Sequence, residues 1–171
     1  MKVTESLFFR DLVRLADDGW RMGWHERNGG NLSCRLTDEE FLSVSENLTL
    51  GTWVPLGFSV PDLADASFAV TGTGRYFRDA AVKPEETFGL IGLDSRGENY
   101  RILWGFARGG RPTSELPTHL VTQAVKAALP GGSRRVVYHA HPSNIIALTF
   151  VLPLSDEVFT RELWEIGRAH V

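Results

Sequence analysis

Two apolar runs separated by a short polar turn constrain the fold of this chain more than any other feature. Residues 88–93 (FGLIGL) and 100–104 (YRILW) have the apolar composition of strands, and residues 94–97 (DSRG) have that of a turn. Such a pair predicts an antiparallel hairpin. Helical segments are interspersed among the strand-like runs, so the pattern favours an α/β sandwich over a doubly wound parallel sheet.

Helical periodicity predicts two main helices. Residues 4–24 have apolar side chains at helical spacing, and Thr4 is the expected N-cap. The second helix is predicted at residues 116–129, with Pro117 in its first turn, where a missing N–H costs little. The expected buried side chains are Leu7, Phe8, Leu12, Leu15, Ala16 and Trp20 in the first helix, and Leu120, Val121, Ala124, Val125 and Ala128 in the second.

The remaining segments are shorter. Further strands are predicted at residues 32–36, 68–71 and 135–141, and further helices after Pro142 and near Ser155. Residues 37–66 contain several prolines and glycines and are interpreted as a loop with short strand pieces. A chain of 171 residues suits one domain.

Composition excludes several classes of function. The formal net charge is -3 and the basic residues are scattered, so a nucleic-acid partner has no electrostatic support. No apolar run approaches the roughly 20 residues that span a bilayer, so no membrane association is expected. Cys34 is the only cysteine, which precludes an intramolecular disulfide and favours a reducing cytoplasm.

The sequence His139-Ala140-His141 is the sharpest candidate for a metal site. On a strand, residues two apart point to the same face, about 7 Å apart along the chain. Two neutral imidazoles at that spacing suit zinc, and a catalytic site would need a third protein ligand and an open position. The alternative is a pair of half-buried histidines on a sheet, with Tyr138 packing on the opposite face.

A second candidate is the segment 112–117 (PTSELP), directly before a predicted helix. It can be an ordinary helix start, with Ser114 as N-cap and Glu115 complementing the helix dipole. It can equally form an anion site from the Thr113 and Ser114 hydroxyls and the helix N–H groups, with Glu115 as a general acid or base. The glycine-rich turns 28–31 (NGGN) and 71–74 (TGTG) could also bring backbone N–H groups close to an oxyanion.

Four motifs, in this order along the chain, resemble the class II aldolase/adducin family. They are residues 26–33 (ERNGGNLS), 70–74 (VTGTG), 112–117 (PTSELP) and 139–141 (HAH). Segments 24–32, 102–105 (ILWG) and 159–164 (FTRELW) are most similar to family members that cleave L-rhamnulose 1-phosphate. The resemblance extends over about residues 5–165, and only the motifs together make it specific.

The resemblance implies a three-layer α/β/α sandwich with a mostly antiparallel central sheet. It implies a cytoplasmic homotetramer that splits L-rhamnulose 1-phosphate into dihydroxyacetone phosphate and L-lactaldehyde, using one Zn²⁺ per subunit held by three histidines. His139 and His141 match the first two metal ligands, and Glu115 matches the catalytic glutamate. Residues at or near the substrate phosphate and backbone oxygens are expected to be Asn28, Gly30, Asn31, Thr73, Gly74, Thr113 and Ser114.

The chain departs from the family pattern at its end. In the family that the chain resembles, the third histidine ligand and a further glutamate lie well beyond residue 171. His25, at the end of the first helix, and His119, expected on a helix surface, do not match that ligand. Residues 165–171 (EIGRAHV) match one reading frame of a common sequencing adapter, so His170 is not assigned as a ligand. The expected organisation is an incomplete family domain at residues 1–165, inactive by itself, and a non-native tail at 166–171.

Other functions remain open within the same family. Relatives on this metal platform cleave fuculose phosphate, epimerise pentulose phosphates or dehydrate a sugar phosphate. A non-catalytic, adducin-like scaffold would keep the fold without the metal, and the joint presence of Glu115, His139 and His141 disfavours it.

Overall fold

One six-stranded sheet organises the chain, and it is antiparallel throughout. The computed structural model describes residues 1–129 and 133–168, except for the side chains of 166–168. The strands are β1 (Asn31–Arg35), β2 (Val54–Pro55), β3 (Ser67–Thr71), β4 (Phe88–Leu93), β5 (Asn99–Gly105) and β6 (Val136–His139). Their order is β2-β5-β4-β3-β1-β6, and β4 and β5 form the predicted hairpin.

The described residues also form helices, and the mixed α/β class is confirmed. They are α1 (Leu7–Arg21), α2 (Asp38–Val44), α3 (Pro84–Thr87), α4 (Leu116–Ala127), α5 (Ser143–Val151) and α6 (Asp156–Arg168). Residues Met1–Ala140 form one compact unit and His141–Val171 a second, which contains α5 and α6. Among the described residues, no helix is both long enough and apolar enough to cross a membrane.

Alternating side chains of the central strands supply two separate cores, as expected for the two faces of a sheet. One core joins α1 to one face of the sheet, and the other joins α4 to the opposite face. The first contains Phe8, Phe9, Leu12, Leu32, Cys34, Ala69, Phe88 and Leu90. The second contains Phe68, Val70, Ile91, Leu93, Leu116 and Leu120.

Helix α1 is shorter than predicted, and its N-cap is different. A 3₁₀ turn occupies Val3–Glu5, so Ser6 rather than Thr4 is at the N-cap position. The buried face was only partly predicted. Leu7 is 77% exposed and Trp20 is 42% exposed, whereas Phe9 and Gly19 are buried. The difference arises because packing against the sheet determines which face of the helix is covered.

The interpretation of residues 37–66 as a loop is wrong at its beginning. Thr37 caps α2 by accepting a hydrogen bond from the backbone N–H of Glu40, while the Glu40 carboxylate accepts one from the Thr37 N–H. This reciprocal capping box satisfies N–H groups that a helix start leaves without partners. The spacing T-x-x-E was the sequence signal for it.

Strand β6 ends two residues before the predicted limit. His139 pairs with Asn31, the first residue of β1. Gly30, before it, has a φ of 82°, which turns the chain out of the sheet, so the pairing of β1 with β6 stops at His139. The expectation that His139 and His141 share a strand face is therefore wrong, because His141 lies beyond the strand, where the second unit begins.

In α4, Leu120 is buried and Ala124 packs on the second core, as predicted. Val121 and Val125 are 52% and 62% exposed, against expectation. The polar residues His119 and Gln123 take their place on the buried face.

Candidate active site

Three strand ends meet at one edge of the sheet and bring the sequence motifs together. Strand β1 begins there at Asn31, while β3 and β6 end there at Thr71 and His139. The hydroxyl of Thr71 accepts a hydrogen bond of 3.0 Å from the backbone N–H of Leu32. Because neighbouring strands are antiparallel, motifs far apart in sequence converge at this edge.

Glu115 and His139 form the central contact of the site. A carboxylate oxygen of Glu115, Oε2, lies 2.8 Å from Nδ1 of His139. Their side chains are 42% and 40% exposed, so both remain open to solvent. A carboxylate accepts only, so the Nδ1–H of His139 donates in this bond, which places the ring's lone pair on Nε2. The Glu115 carboxylate is of the kind that takes up and releases protons, and an imidazole nitrogen with a lone pair can bind a metal.

The loop before α4 holds Glu115 in place. The backbone N–H of Thr113 donates to the Thr71 carbonyl over 2.9 Å, and the Thr113 hydroxyl accepts from the N–H of Glu115. Thr113 is 6% exposed, whereas Ser114 is exposed. Glu115 itself is at the N-cap position, so the expectation that Ser114 caps the helix is wrong. Pro117 lies in the first turn, as predicted.

The two glycine-rich turns lie at the same edge. Gly72 bridges to Pro112, and the N–H of Thr73 donates to the Arg111 carbonyl over 3.0 Å, which joins this turn to the loop before α4. Thr73 is half-buried and Gly74 is exposed. In the other turn Asn28 is exposed, Gly30 is half-buried, and Asn31 is only 5% exposed. Of the seven expected substrate-contacting residues, Asn31 and Thr113 therefore have buried side chains that already hold protein partners.

His119 was not predicted as part of the site, and its expected surface position is wrong. It is 2% exposed and lies between Ser33 and Asn31 of β1. Its Nδ1 is 2.8 Å from the Ser33 hydroxyl, and its Nε2 is hydrogen-bonded to Oδ1 of Asn31. Burial lowers the pKa of His119 to about 4, so the ring is neutral at neutral pH. The spacing of Glu115, His119 and Gln123, four residues apart, was the available signal.

A second missed histidine supports the Asn28–Asn31 turn from the other face of the sheet. His25 is 5% exposed, with Nδ1 2.9 Å from the Gly29 carbonyl and Nε2 hydrogen-bonded to the Tyr138 hydroxyl. The Gly29 carbonyl can only accept, so Nδ1 carries the proton and Tyr138 donates to Nε2. Tyr138 packs on the first core, which confirms its predicted packing role.

The site's donor set fits a divalent metal in part. Within residues 1–129 and 133–168, no three or more His, Cys, Asp or Glu side chains are grouped so that they could hold a metal ion. The fit rests on His139, because a ligating histidine commonly donates its other ring N–H to a carboxylate, as His139 does to Glu115.

Comparison with known proteins assigns the chain to a family. Residues 10–168 match the class II aldolase and adducin N-terminal domain. The chain belongs to this family. It is 41% identical to the rhamnulose-1-phosphate aldolase of Mannheimia succiniciproducens over 96% of this chain. It is 40% identical to the rhamnulose-1-phosphate aldolase of Escherichia coli over 95% of this chain.

A solved structure agrees with this assignment. The crystal structure of a sugar-phosphate aldolase from Thermotoga maritima matches with a TM-score of 0.68 and 28% identity, covering 82% of this chain and 55% of that one. The chain spans 61% and 60% of the lengths of the M. succiniciproducens and E. coli relatives.

Proposed function

We propose that this chain is part of a zinc-dependent aldolase that cleaves L-rhamnulose 1-phosphate into dihydroxyacetone phosphate and L-lactaldehyde. The observation that carries the proposal is the 2.8 Å contact between Glu115 and His139 at the edge where the family motifs meet. The identity of about 40% to two rhamnulose-1-phosphate aldolases supports this substrate over those of other family members.

In the proposed mechanism, His139 and His141 hold the metal. Zinc, when bound, supplies electrostatic stabilisation of the negative charge that carbon–carbon cleavage leaves on the ketone half. Glu115 moves a proton to and from the substrate's hydroxyl oxygens, because its half-exposed carboxylate lies directly beside His139. The third ligand would lie in a region that corresponds to the part of the relatives' length that this chain does not span.

The proposed phosphate clamp consists of neutral donors. Exposed Asn28, Gly74 and Ser114 lie in three separate turns, and Gly30 and Thr73 lie beside them, half-buried. Asn31 and Thr113 contribute from buried positions. Fixing the phosphate in this way positions the scissile bond without adding a charge that would compete for Glu115. The complete enzyme is proposed to be a cytoplasmic homotetramer.

The decisive experiment measures bound zinc and cleavage of L-rhamnulose 1-phosphate together. The protein would be expressed from its complete reading frame as wild type and as Glu115→Ala and His139→Ala. We expect about one zinc per chain in the wild type, loss of zinc and cleavage in His139→Ala, and loss of cleavage alone in Glu115→Ala. The loss of a catalytic proton-transfer group corresponds to about 10²- to 10⁴-fold in kcat.

Glu46→Ala is the matched control, since Glu46 is exposed and lies in a 3₁₀ turn outside the motifs. It should change neither zinc content nor rate. Zinc without cleavage of this substrate would favour an epimerase or dehydratase of the same family. Wild-type protein that contains no zinc and cleaves nothing would contradict the enzyme proposal and favour a scaffold.

A further inference from the structure

The buried face of α4 carries a polar stripe next to the candidate site. Glu115, His119 and Gln123 are spaced four residues apart, so they lie in one row along the helix. His119 is 2% exposed and Gln123 is fully buried. Buried polar groups of this kind need defined hydrogen-bond partners, which makes the direction of each bond interpretable.

Gln123 fixes the first direction. Its Nε2 lies 2.9 Å from the Arg135 carbonyl, 3.4 Å from the Ser33 carbonyl and 3.2 Å from the Ser33 hydroxyl. Carbonyl oxygens can only accept, so the amide nitrogen must face them. A flipped amide would set its oxygen against two carbonyl oxygens. The Ser33 hydroxyl oxygen therefore accepts from Gln123 and keeps its own proton for another partner.

That proton determines the tautomer of His119. The Ser33 hydroxyl donates to Nδ1 of His119 over 2.8 Å, so Nδ1 carries the lone pair. The neutral ring then has its proton on Nε2, which donates to Oδ1 of Asn31. With Oδ1 engaged by His119, the amide nitrogen of Asn31 is the group left to act as a donor elsewhere.

Asn31 lies where such a donor would be useful. It is the Cα partner of His139 in the β1–β6 pair, and side chains of paired residues lie on the same face of a sheet. His139 in turn contacts Glu115. The hydrogen-bonded chain from Gln123 thus ends beside the two residues proposed for metal binding and proton transfer.

We propose that His119 is a positioning residue: it holds Asn31 so that its amide NH₂, and not its carbonyl, is presented to the anionic oxygens of the bound sugar phosphate. This inference rests on the proposed function. It goes beyond it in assigning a role to a buried helix residue that is not among the proposed metal ligands or substrate-contacting residues.

The test uses variants of the complete, zinc-loaded protein that distinguish the role of Nε2 of His119 from that of Nδ1. A glutamine side chain can place its amide nitrogen near the position of Nε2, whereas asparagine reaches only the position of Nδ1. We expect His119→Asn to lower kcat/KM by up to about 100-fold, which is the size of effect that loss of positioning has. The loss of kcat/KM in His119→Gln should be smaller. A role in packing alone would not distinguish these two polar substitutions.

A double-mutant cycle tests whether the effect passes through Asn31. Asn31→Ala should lower kcat/KM about as much as His119→Asn, and the double variant should be no worse than either single one. Additive losses would overturn the inference. So would full activity in His119→Asn, while the proposed function would stand because the wild type still cleaves its substrate.

The tautomer provides a measurement that needs no substrate. Solid-state ¹⁵N NMR of histidine-labelled protein, assigned with His119→Gln, should show the His119 proton on Nε2. Ser33→Ala should shift this equilibrium, and Ser43→Ala, which removes a hydroxyl bonded within α2, should not. A proton on Nδ1 in the wild type would overturn the inference. If the wild type cleaves no sugar phosphate, the proposed function fails, and the tautomer still decides whether His119 holds Asn31.

Discussion

His119 shows how burial sets the state of a single side chain. Desolvation penalises its charged form, and the nearby His139 acts in the same direction, against the opposite effect of Glu115. The pKa of about 4 keeps the ring neutral, which its two bonds require, since each protonated nitrogen can only donate. A charged ring would lose its acceptor for the Ser33 hydroxyl.

A dependence of stability on pH follows from this shift. The unfolded imidazole titrates near pH 6.5, whereas the folded one takes up a proton only near pH 4. The stabilising contribution is therefore complete above pH 6.5 and is lost as the pH falls toward 4. Between these values, the wild type should lose on the order of 3 kcal/mol of unfolding free energy relative to His119→Gln.

Urea unfolding of both proteins at several pH values between 7 and 4 measures this difference. The carboxylates titrate in both proteins and cancel, so the difference isolates His119. Parallel stability profiles of the wild type and His119→Gln would show that the folded ring titrates normally.

Buried hydroxyl and thiol groups of the first core behave alike. Burial raises the pKa of Tyr138 to about 12, with a smaller contribution from Asp18, so its hydroxyl remains a donor to His25. Burial likewise raises the pKa of Cys34 to about 11, which makes the thiol a poor nucleophile. Both groups therefore stay protonated at neutral pH.

Among the secondary-structure elements, α2 is linked to the sheet by an ion pair. The Arg135 guanidinium binds the Glu40 carboxylate through two bonds of 2.6 and 3.0 Å, and it also donates to the Arg35 carbonyl. Burial raises the pKa of Glu40, but the hydrogen bonds from Arg135 and Thr37 outweigh it and lower the pKa overall. Arg135, which directly precedes β6, thereby links the first turn of α2 to the end of β1.

Removing the N-cap of α2 should have a moderate cost. Thr37→Ala deletes the hydroxyl that accepts from Glu40, and we expect a loss of about 1 kcal/mol in unfolding free energy. Chemical denaturation measures it. Thr52→Ala, at an exposed loop position, should change stability by less than about 0.5 kcal/mol. Equal effects of the two substitutions would mean that the cap contributes nothing.

At the scale of the Met1–Ala140 unit, one sheet serves two cores. Leu90 and Ile91 are neighbours in β4, both fully buried, and they point into opposite cores. Because β4 contributes side chains to both cores, loss of packing in either core weakens the same sheet. The two cores should therefore unfold in one cooperative step.

Leu90→Ala and Ile91→Ala test this coupling. Each should cost about 2–5 kcal/mol, because each opens a cavity in a closely packed layer. In both variants, unfolding followed by far-UV circular dichroism and by tryptophan fluorescence should give coincident curves. Separate transitions in either variant would mean that the two layers unfold independently.

Local sequence determined much of this protein. The hairpin of β4 and β5 and the helices α4, α5 and α6 follow from period, turn composition and proline placement, which act over a few residues. The four family motifs likewise follow from the sequence, and the family match confirms them. The capping box of α2 has the sequence T-x-x-E, but the glycines and prolines that follow it favour the prediction of a loop.

Tertiary structure alone decided the rest. Which stripe of α1 is buried, where β6 ends and why His119 is inside all depend on partners far along the chain, such as Asn31 opposite His139. Periodicity ranks side chains by apolarity, so it places a histidine on the surface and Val121 in the core. Hydrogen bonds to Ser33 and Asn31 reverse that order, because a buried polar group is stable once each of its atoms has a partner.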